Sequence, residues 1–140
     1  MKLIDSKFAS LIEGVYVAKF GVVYFFDEYI VTEINEGEIF NFQSSEELTE
    51  LLVKHYGNNP SVHVISNRVN NYAVDPIYWI DFYKNEQSNV IKTMSFITYN
   101  ELSKSNAKLE QEFIKVKSKC FTNLEDAMHW LNTIPKKWSA

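Results

Sequence analysis

Arginine is nearly absent from this 140-residue sequence, in which Arg68 is the only one and every other cation is a lysine. The net charge is −4 at pH 7. Proteins that bind nucleic acids gain much of their affinity by neutralising phosphates with arginine and lysine. An acidic sequence with one arginine therefore argues against a nucleic-acid partner.

Cysteine is also scarce, because Cys120 is the single one and no disulfide can form within the chain. Such usage is typical of a reducing compartment. The longest uncharged apolar run, residues 22–26, falls far below the ~18 residues that suggest a membrane span. Asp5 and Lys7 interrupt the apolar residues where a signal peptide would have its core. We therefore expect a cytoplasmic protein with no membrane span.

Glycine and proline number only 4 and 3, which argues against long flexible linkers and disordered stretches. Apolar and aromatic side chains are plentiful by comparison, at 46% and 15% of the residues. The length suits one domain with a hydrophobic core. We expect residues 1–140 to form a single domain.

The first part of the sequence predicts β-strands. Residues 22–26 are all β-branched or aromatic, the types that fit a pleated surface. Two sets of side chains alternate over Tyr29–Ile34, and Asp27-Glu28 separates the two segments. They form a predicted antiparallel hairpin, and an earlier strand is predicted over Val15–Phe20.

The remainder predicts helices alternating with strands. Capping-box spacing at Ser44 and Glu47 predicts that the first helix begins there, and Gly57 ends it after Tyr56. A second helix begins at Asp75-Pro76 and ends between residues 84 and 88. A third is capped by Asn100 and carries Leu102, Asn106, Leu109 and Phe113. A fourth begins at Thr122 and Glu125 and carries Leu124, Ala127, Met128 and Leu131. The intervening strands are predicted at Val62–Ser66, Met94–Thr98 and Val116–Phe121.

This order predicts an α/β fold, in which an N-terminal β-hairpin is followed by βα units and helices pack on a mixed sheet. The last strand is unusual because Lys115, Lys117 and Lys119 alternate along it. A strand buried on both faces would not carry three charges. Lysines commonly protect edge strands from pairing with other chains, so we expect this strand at the edge of the sheet.

Four segments carry a resemblance to a known fold: Val23–Ile30, Glu33–Gly37, Val64–Pro76 and Phe121–Ala127. Together they resemble the SpoIIAA-like (STAS-like) fold, in which an opening hairpin is followed by βα units. The likeness is greatest to small SpoIIAA-like proteins of Bacteroidetes-type bacteria, and residues 66–70 are its most specific part.

Anti-sigma antagonists of the SpoIIAA-like fold are regulated by phosphorylation of a serine in an Asp-Ser-Ser-Gly-like turn at a helix start. That turn is missing from this sequence, where Ser66 near the corresponding strand end is followed by Asn67 and Arg68. The resemblance therefore implies the fold without this phosphorylation switch.

The connection after the predicted strand Val62–Ser66 concentrates polar side chains where α/β folds tend to bind ligands. Its candidate ligand-binding residues are Ser66, Asn67, Arg68, Asn70, Asn71 and Tyr72. In one interpretation the asparagines close backbone hydrogen bonds of the loop itself. In the other, Arg68 presents its planar guanidinium to a carboxylate or phosphate.

The second predicted helix is apolar nearly all round, with only Asp81 and Lys84 charged. Such a helix is either buried on both sides or covered by a partner. Tyrosine and tryptophan are enriched in interface cores, which makes this helix a candidate contact with a protein partner or with a second copy as a homodimer. The interface candidates are Tyr78, Trp79, Phe82 and Tyr83.

No motif for catalysis, metal binding or a cofactor stands out. The three histidines, His55, His63 and His129, have no metal-ligand spacing with one another or with Cys120. Carboxylates near the helices, including Glu110 and Glu112, are interpreted as solvated. We expect no catalytic residue, no metal and no cofactor.

Two functions remain open from the sequence. One is a non-enzymatic regulatory or protein-interaction module of STAS-like fold, supported by the resemblance, the missing chemistry and the aromatic helix. The alternative is a small anionic-ligand-binding protein or a minor enzyme that uses the loop Ser66–Tyr72. A pocket beside Arg68 containing a perturbed acid or base would favour the alternative, whereas an exposed apolar patch would favour the first.

Overall fold

The structure is a computed structural model that describes residues 1–75, 77–84 and 89–135. Its strands are β1 (Gly14–Ala18), β2 (Gly21–Phe25), β3 (Tyr29–Ile34), β4 (Ile39–Phe40), β5 (Val62–Asn67), β6 (Ala73–Val74), β7 (Ile91–Ile97) and β8 (Lys117–Phe121). Its helices are α1 (Phe42–Tyr56), α2 (Tyr78–Lys84), α3 (Glu101–Gln111) and α4 (Leu124–Thr133), and two short 3-10 helices precede them at Leu3–Asp5 and Lys7–Leu11.

Six strands form one mixed sheet in the order β1-β2-β3-β5-β7-β8. The first three are an antiparallel meander, and β3, β5, β7 and β8 run parallel. The meander depends on Gly21, whose φ of 154° is unfavourable for other residues and where a Cβ atom would collide with the backbone of Glu33 in β3. The predicted α/β fold with a mixed sheet is confirmed.

The sheet separates two hydrophobic layers. On the α1–α3 face, Leu52, Phe82 and Ala107 pack against strand side chains such as Val23 and Val64. On the α4 face, the side chains in contact come from the 3-10 segment, the strands and α4, and are Leu3, Tyr24, Phe26, Val31, Ile65, Ile97, Leu124, Ala127 and Met128. Burying each large apolar side chain contributes about 1.5–3 kcal/mol, so both layers stabilise the sheet.

The lysine-rich strand is the outer strand β8, which pairs only with β7 among the described strands. Its predicted edge position is therefore confirmed. The opposite edge is β1, which pairs only with β2 in that part of the chain. Two short strands that the sequence pattern did not predict, β4 and β6, form a separate parallel pair beside the sheet.

Two predicted helix starts are wrong, because a neighbouring asparagine makes the cap. The α1 helix begins after Asn41, whose side chain accepts from the backbone N–H of Ser44 while the Ser44 hydroxyl accepts from the N–H of Asn41. The α4 helix begins after Asn123, which accepts from the N–H of Asp126. Asparagine ranks among the best N-cap residues, and Asn100 caps α3 as predicted.

The second helix is described from Tyr78 to Lys84. Its predicted first residue, Pro76, and its predicted end at residues 85–88 lie outside the described residues. Asp75 accepts from the N–H of Ile77 through its side chain and from the N–H of Tyr78 through its carbonyl. Within the described residues, no helix is long and apolar enough to cross a membrane.

Candidate functional site

Arg68 follows the last residue of β5 and points into the α1–α3 face. Its side chain is only 4% exposed. The guanidinium carbon lies 4.9 Å from the ring centroid of Phe96 and 5.1 Å from that of Tyr72. These distances are typical of cation–π contacts, so the two rings replace part of the hydration that the guanidinium loses.

The charge of Arg68 is balanced by Glu110 of α3. Arg68 Nη1 donates to Glu110 Oε2 at 2.6 Å, and Trp79 Nε1 donates to Glu110 Oε1 at 3.2 Å. Glu110 is itself only 8% exposed. The interpretation of Glu110 as a solvated carboxylate is therefore wrong, because a buried arginine requires a buried counter-charge.

The same network continues through Ser66 and Tyr72. Arg68 Nε donates to Ser66 Oγ at 3.1 Å, and Ser66 Oγ lies 3.0 Å from the Tyr72 hydroxyl. Ser66 is itself buried within β5. Its hydroxyl is thus directed at neighbouring side chains inside the protein.

The surroundings of Arg68 favour its charged form. Burial alone would lower the pKa of Arg68, but the nearby Tyr72 and Glu110 outweigh it and raise that pKa. Burial raises the pKa of the Tyr72 hydroxyl, an effect that Arg68 partly opposes. Burial likewise raises the pKa of the Cys120 thiol. With these raised pKa values, the Tyr72 hydroxyl and the Cys120 thiol are not activated as a base or a nucleophile at neutral pH.

A cavity of about 60 Å³ lies beside this network, between the sheet and helices α1 and α2. Ser66, Arg68 and Glu110 line part of it, and most of the other lining side chains are apolar, including Ile30, Leu52, Val64, Phe82 and Met94. A cavity that accepts one water needs roughly 10–15 Å³. The space suits a few water molecules or a very small ligand.

Asn67 belongs to a second network on the α4 face. Its Nδ2 donates to Glu33 Oε2 at 2.7 Å, and its Oδ1 accepts from the Tyr99 hydroxyl at 2.7 Å. Glu33 Oε2 also accepts from the backbone N–H of Leu3 at 2.7 Å. Asn67 further donates to the carbonyl of Met1 at 3.0 Å. The network therefore attaches the N-terminal segment to the carboxyl ends of β3 and β5.

Asn70 and Asn71 join backbone segments of the loops around β4. Asn70 Nδ2 donates to the carbonyl of Ile34 at 2.9 Å. Asn71 donates its N–H to the Glu36 carboxylate, and its Oδ1 accepts from Asn100 Nδ2 at 3.2 Å. Of the six candidate ligand-binding residues, the structure joins Ser66, Arg68 and Tyr72 in one hydrogen-bonded network. Asn70 and Asn71 line a cavity of only about 10 Å³ together with Arg68 and Tyr72, whereas Asn67 faces the other side of the sheet.

The four interface candidates differ in burial. Tyr78, Trp79 and Phe82 lie in the core against α1 and the sheet. Tyr83 is partly exposed, and its hydroxyl accepts from the N–H of Lys115 at 2.8 Å. Only Tyr83 presents surface to a partner without rearrangement, and its role in an interface stays a prediction.

The α3 helix carries an exposed apolar surface. The predicted stripe of this helix faces outward, with Leu102 at 62% exposure, Leu109 at 58% and Phe113, just beyond the helix, at 41%. The residues of α3 that face the core are instead small or paired: Ser103, Ala107 and Glu110. One sequence signal could have indicated that the apolar stripe faces outward. If the only arginine is buried, it requires a buried carboxylate, and Glu110 lies on the side of α3 opposite to the stripe.

The stripe borders a groove of about 230 Å³ between α3 and residues 73–75 with Trp79. The groove is lined by Ala73, Val74, Asp75, Trp79, Asn106, Leu109, Glu110 and Phe113. Over the described ranges, no group of three or more His, Cys, Asp and Glu side chains has the geometry of a metal site.

No family model and no curated protein matches the sequence. The structure is similar to the crystal structure of an uncharacterized protein from the DUF3478 family, with a SpoIIAA-like fold, from Shewanella loihica PV-4. The two superpose with a TM-score of 0.53 and 16% identity, over 84% of this chain and 90% of the other. The chain has a SpoIIAA-like fold. The fold resemblance drawn from the sequence is thereby confirmed, and the Bacteroidetes-type origin stays a prediction.

The Asp-Ser-Ser-Gly-like turn that is phosphorylated in anti-sigma antagonists is missing from this sequence. Ser66 is the serine nearest the corresponding strand end, and it is buried against Arg68 and Tyr72. A phosphate on Ser66 would have to displace the Arg68–Glu110 ion pair. The arrangement holds the end of β5 and α3 together.

Proposed function

We propose that this SpoIIAA-like chain is a non-enzymatic regulatory or protein-interaction module of STAS-like type that contacts its protein partner through α3. The observation that carries the proposal is the outward apolar stripe of Leu102, Leu109 and Phe113. A helix that packs on a sheet normally buries its apolar stripe. Here that stripe is left to the outside, and exposed apolar patches mark contact sites.

The surroundings of the stripe match the anatomy of a protein interface. Interface cores are apolar and their rims are polar. The stripe adjoins the groove beside Trp79, and Lys104, Lys108 and Glu112 are exposed around it. Leu109 lies at the centre of the stripe and also lines the groove, so we propose it as the residue that contributes most to binding.

The alternative, an anionic-ligand-binding protein or minor enzyme at residues 66–72, has less support. The guanidinium of Arg68 already binds Glu110 and Ser66 and packs between two rings. An external carboxylate or phosphate would have to replace Glu110 in a buried place, and removing one partner of a buried pair costs about 3–5 kcal/mol. A reducing, cytoplasmic location fits the single Cys120 and belongs to the same proposal.

The test is capture of partner proteins from a lysate of the source organism, with the wild type and two variants as bait. Leu109→Asp places a charge in the stripe, and Val53→Asp places the same charge at an exposed apolar residue of α1 as the matched control. We expect proteins captured by the wild type and by Val53→Asp to be lost with Leu109→Asp, with an affinity loss of at least about tenfold.

Equal thermal stability of the two variants would show that the loss comes from the surface and not from unfolding. If all three baits capture the same proteins, the α3 surface is not the contact site. If a small anion binds the wild type and protects it from unfolding while Arg68→Lys abolishes that effect, the alternative function is correct.

A further inference from the structure

The β1 edge of the sheet is apolar and exposed. Val15, Tyr16 and Val17 are all exposed, with Val17 at 76%, although they lie in the middle of a strand. Among the described residues, no strand pairs with the outer side of β1. An edge strand of this kind presents unpaired backbone donors and acceptors to other chains.

The sequence of β1 contains no charge, in contrast to the lysines of β8. Natural edge strands are usually protected by charges, proline, bulges or a covering segment. Gly14–Ala18 contains neither a charge nor a proline, and no bulge interrupts its pairing with β2 over the five residues. The charges nearest to it in sequence are Glu13 immediately before the strand and Lys19 immediately after it, and both side chains are exposed. Glu13 Oε1 lies 3.6 Å from His55 Nε2 of the same chain, and the Glu13 side chain remains 50% exposed.

We propose that β1 pairs antiparallel with β1 of a second copy of this chain, which joins the two six-stranded sheets into one. The pairing is two-fold symmetric, and Tyr16 of each copy lies at the axis. Closed two-fold dimers are the commonest homo-oligomers, and in them one patch meets its own copy. The inference concerns a surface other than α3 and does not depend on the proposed function.

The charges around β1 favour a second copy in this register. With Tyr16 opposite its own copy, residues 13 and 19 are equally far from the axis, so Glu13 of each copy lies opposite Lys19 of the other. The complementary pair occurs at both ends of the joined strands. A shift by one or two residues in either direction separates the pairs, which makes this register the one that the charges select.

The side chains of β1 are also self-complementary across the axis. Val15 lies opposite Val17 in this register, twice by symmetry, and the four valines share the face of the sheet that carries Val22 and Tyr24. Tyr16 lies on the other face, beside its own copy. Cross-strand pairs of β-branched or aromatic residues stabilise antiparallel sheets by about 0.2–1 kcal/mol each.

The first test is the association state of the wild type over a series of concentrations, measured by sedimentation velocity. We expect a concentration-dependent dimer. Val17→Lys introduces the protection that β8 already has and should raise the dissociation constant at least about tenfold. Val53→Lys, at an exposed apolar residue of α1, is the matched control and should leave it unchanged. A wild type that stays monomeric at every concentration overturns the proposal, as does equal dimerisation of the two variants.

The second test determines the register by disulfide cross-linking in a Cys120→Ser background. Opposed residues of an antiparallel pair have Cα atoms about 4.5–5.5 Å apart, which a disulfide spans. Tyr16→Cys should therefore give a covalent dimer on mild oxidation. Val15→Cys and Val17→Cys should cross-link when mixed and not alone. Self-cross-linking of Val15→Cys or Val17→Cys, with none for Tyr16→Cys, contradicts the register.

The third test reverses the charges at the strand ends. Glu13→Lys places like charges opposite one another and should weaken the dimer at least about twofold. The double variant Glu13→Lys with Lys19→Glu restores both pairs with exchanged signs and should recover the wild-type dissociation constant. Failure of the second substitution to recover dimerisation means that these residues do not face each other across the two-fold axis.

Discussion

Two successive polar residues at the carboxyl end of β5 each bind a buried carboxylate, one on each face of the sheet. The two contacts differ in kind. On the α1–α3 face, Arg68 binds Glu110 of α3 through a charged pair. On the α4 face, the neighbouring residue Asn67 binds Glu33 of β3 through a neutral amide. Successive residues along a strand point to opposite faces, so two adjacent positions serve two separate networks.

The difference lies in how each carboxylate is satisfied. Glu110 has a cation and the indole of Trp79, both from buried side chains. Among the described residues, Glu33 accepts from two neutral donors, Asn67 Nδ2 and the N–H of Leu3. The first network joins a helix to the sheet at the cost of burying two charges. The second uses a carboxylate to anchor the N-terminal segment. We therefore expect loss of the first network to weaken the packing of α3 on the sheet, and loss of the second to release the N-terminal residues.

The largest expected effect is that of breaking the ion pair. Arg68→Met leaves Glu110 buried with no cation, which should lower the free energy of unfolding by about 3–5 kcal/mol. Urea denaturation monitored by tryptophan fluorescence measures the change.

The control for this prediction is a double variant, Arg68→Met with Glu110→Leu. Replacing a buried pair with apolar residues of similar size is often nearly neutral, so the double variant should be clearly more stable than Arg68→Met alone. A double variant as unstable as the sum of the two single ones would show that the pair is not the source of the loss.

A smaller effect is expected on the other face. Glu33→Ala removes the acceptor of Asn67 and Leu3 and should lower the free energy of unfolding by about 1–3 kcal/mol, because two buried donors lose their partner. The N-terminal residues should also become more susceptible to protease, which limited proteolysis with mass spectrometry detects. Glu36→Ala, which removes an exposed hydrogen bond to Asn71, serves as the control. An N-terminus that stays protected in Glu33→Ala would contradict the anchoring role.

The third prediction concerns pH and His63, which lies on the α4 face and contacts Thr93 Oγ1 at 2.8 Å through Nδ1. Burial, with Lys92 adding to it and Glu28 opposing it, lowers the pKa of His63 below its usual 6.5. The unfolded state therefore takes up a proton more readily, and the free energy of unfolding falls as pH decreases through 6.5.

His63→Gln should flatten this dependence between pH 7 and pH 5, measured as the urea midpoint at each pH. His129→Gln changes an exposed histidine of α4 and should retain the wild-type slope. If both variants show the same slope as the wild type, burial of His63 does not cause the acid sensitivity.

The fold was largely predictable because its signals are local. Short β-branched runs, the lysines of β8 and the cap at Asn100 each act through neighbouring residues, and each prediction is confirmed. The wrong helix starts at Ser44 and Thr122 show the limit of such signals. More than one residue in those segments has capping chemistry, and the packing of the helix decides which of them makes the cap.

The candidate site was less predictable because its contacts are distant in sequence. Ser66, Arg68 and Tyr72 lie within seven positions and could be recognised together. Their counter-charge Glu110 is 42 residues away from Arg68, and only the packing of α3 on the sheet brings it near. The outward stripe of α3 follows from the same cause, because the helix turns Glu110 inward and Leu109 outward.

The smallest effect on the free energy of unfolding is expected at the Tyr99 hydroxyl, which belongs to the network on the α4 face. Burial, together with Glu33, raises the pKa of Tyr99 to about 12, so the hydroxyl is protonated at neutral pH and donates to Asn67 Oδ1. Tyr99→Phe removes this donor and should cost at most about 1 kcal/mol, since the ring is partly exposed and water can take its place. In the Glu33→Ala background the cost should shrink, because Asn67 has already lost the carboxylate that helps to fix its side chain, although the carbonyl of Met1 still accepts from it. Urea midpoints of the two single variants and the double variant complete the double-mutant cycle.

Strictly additive losses would contradict this prediction. They would show that Tyr99 and Glu33 hold the N-terminal segment independently. The side chains on the α4 face would then not form one connected network comparable to the ion pair of Arg68 and Glu110.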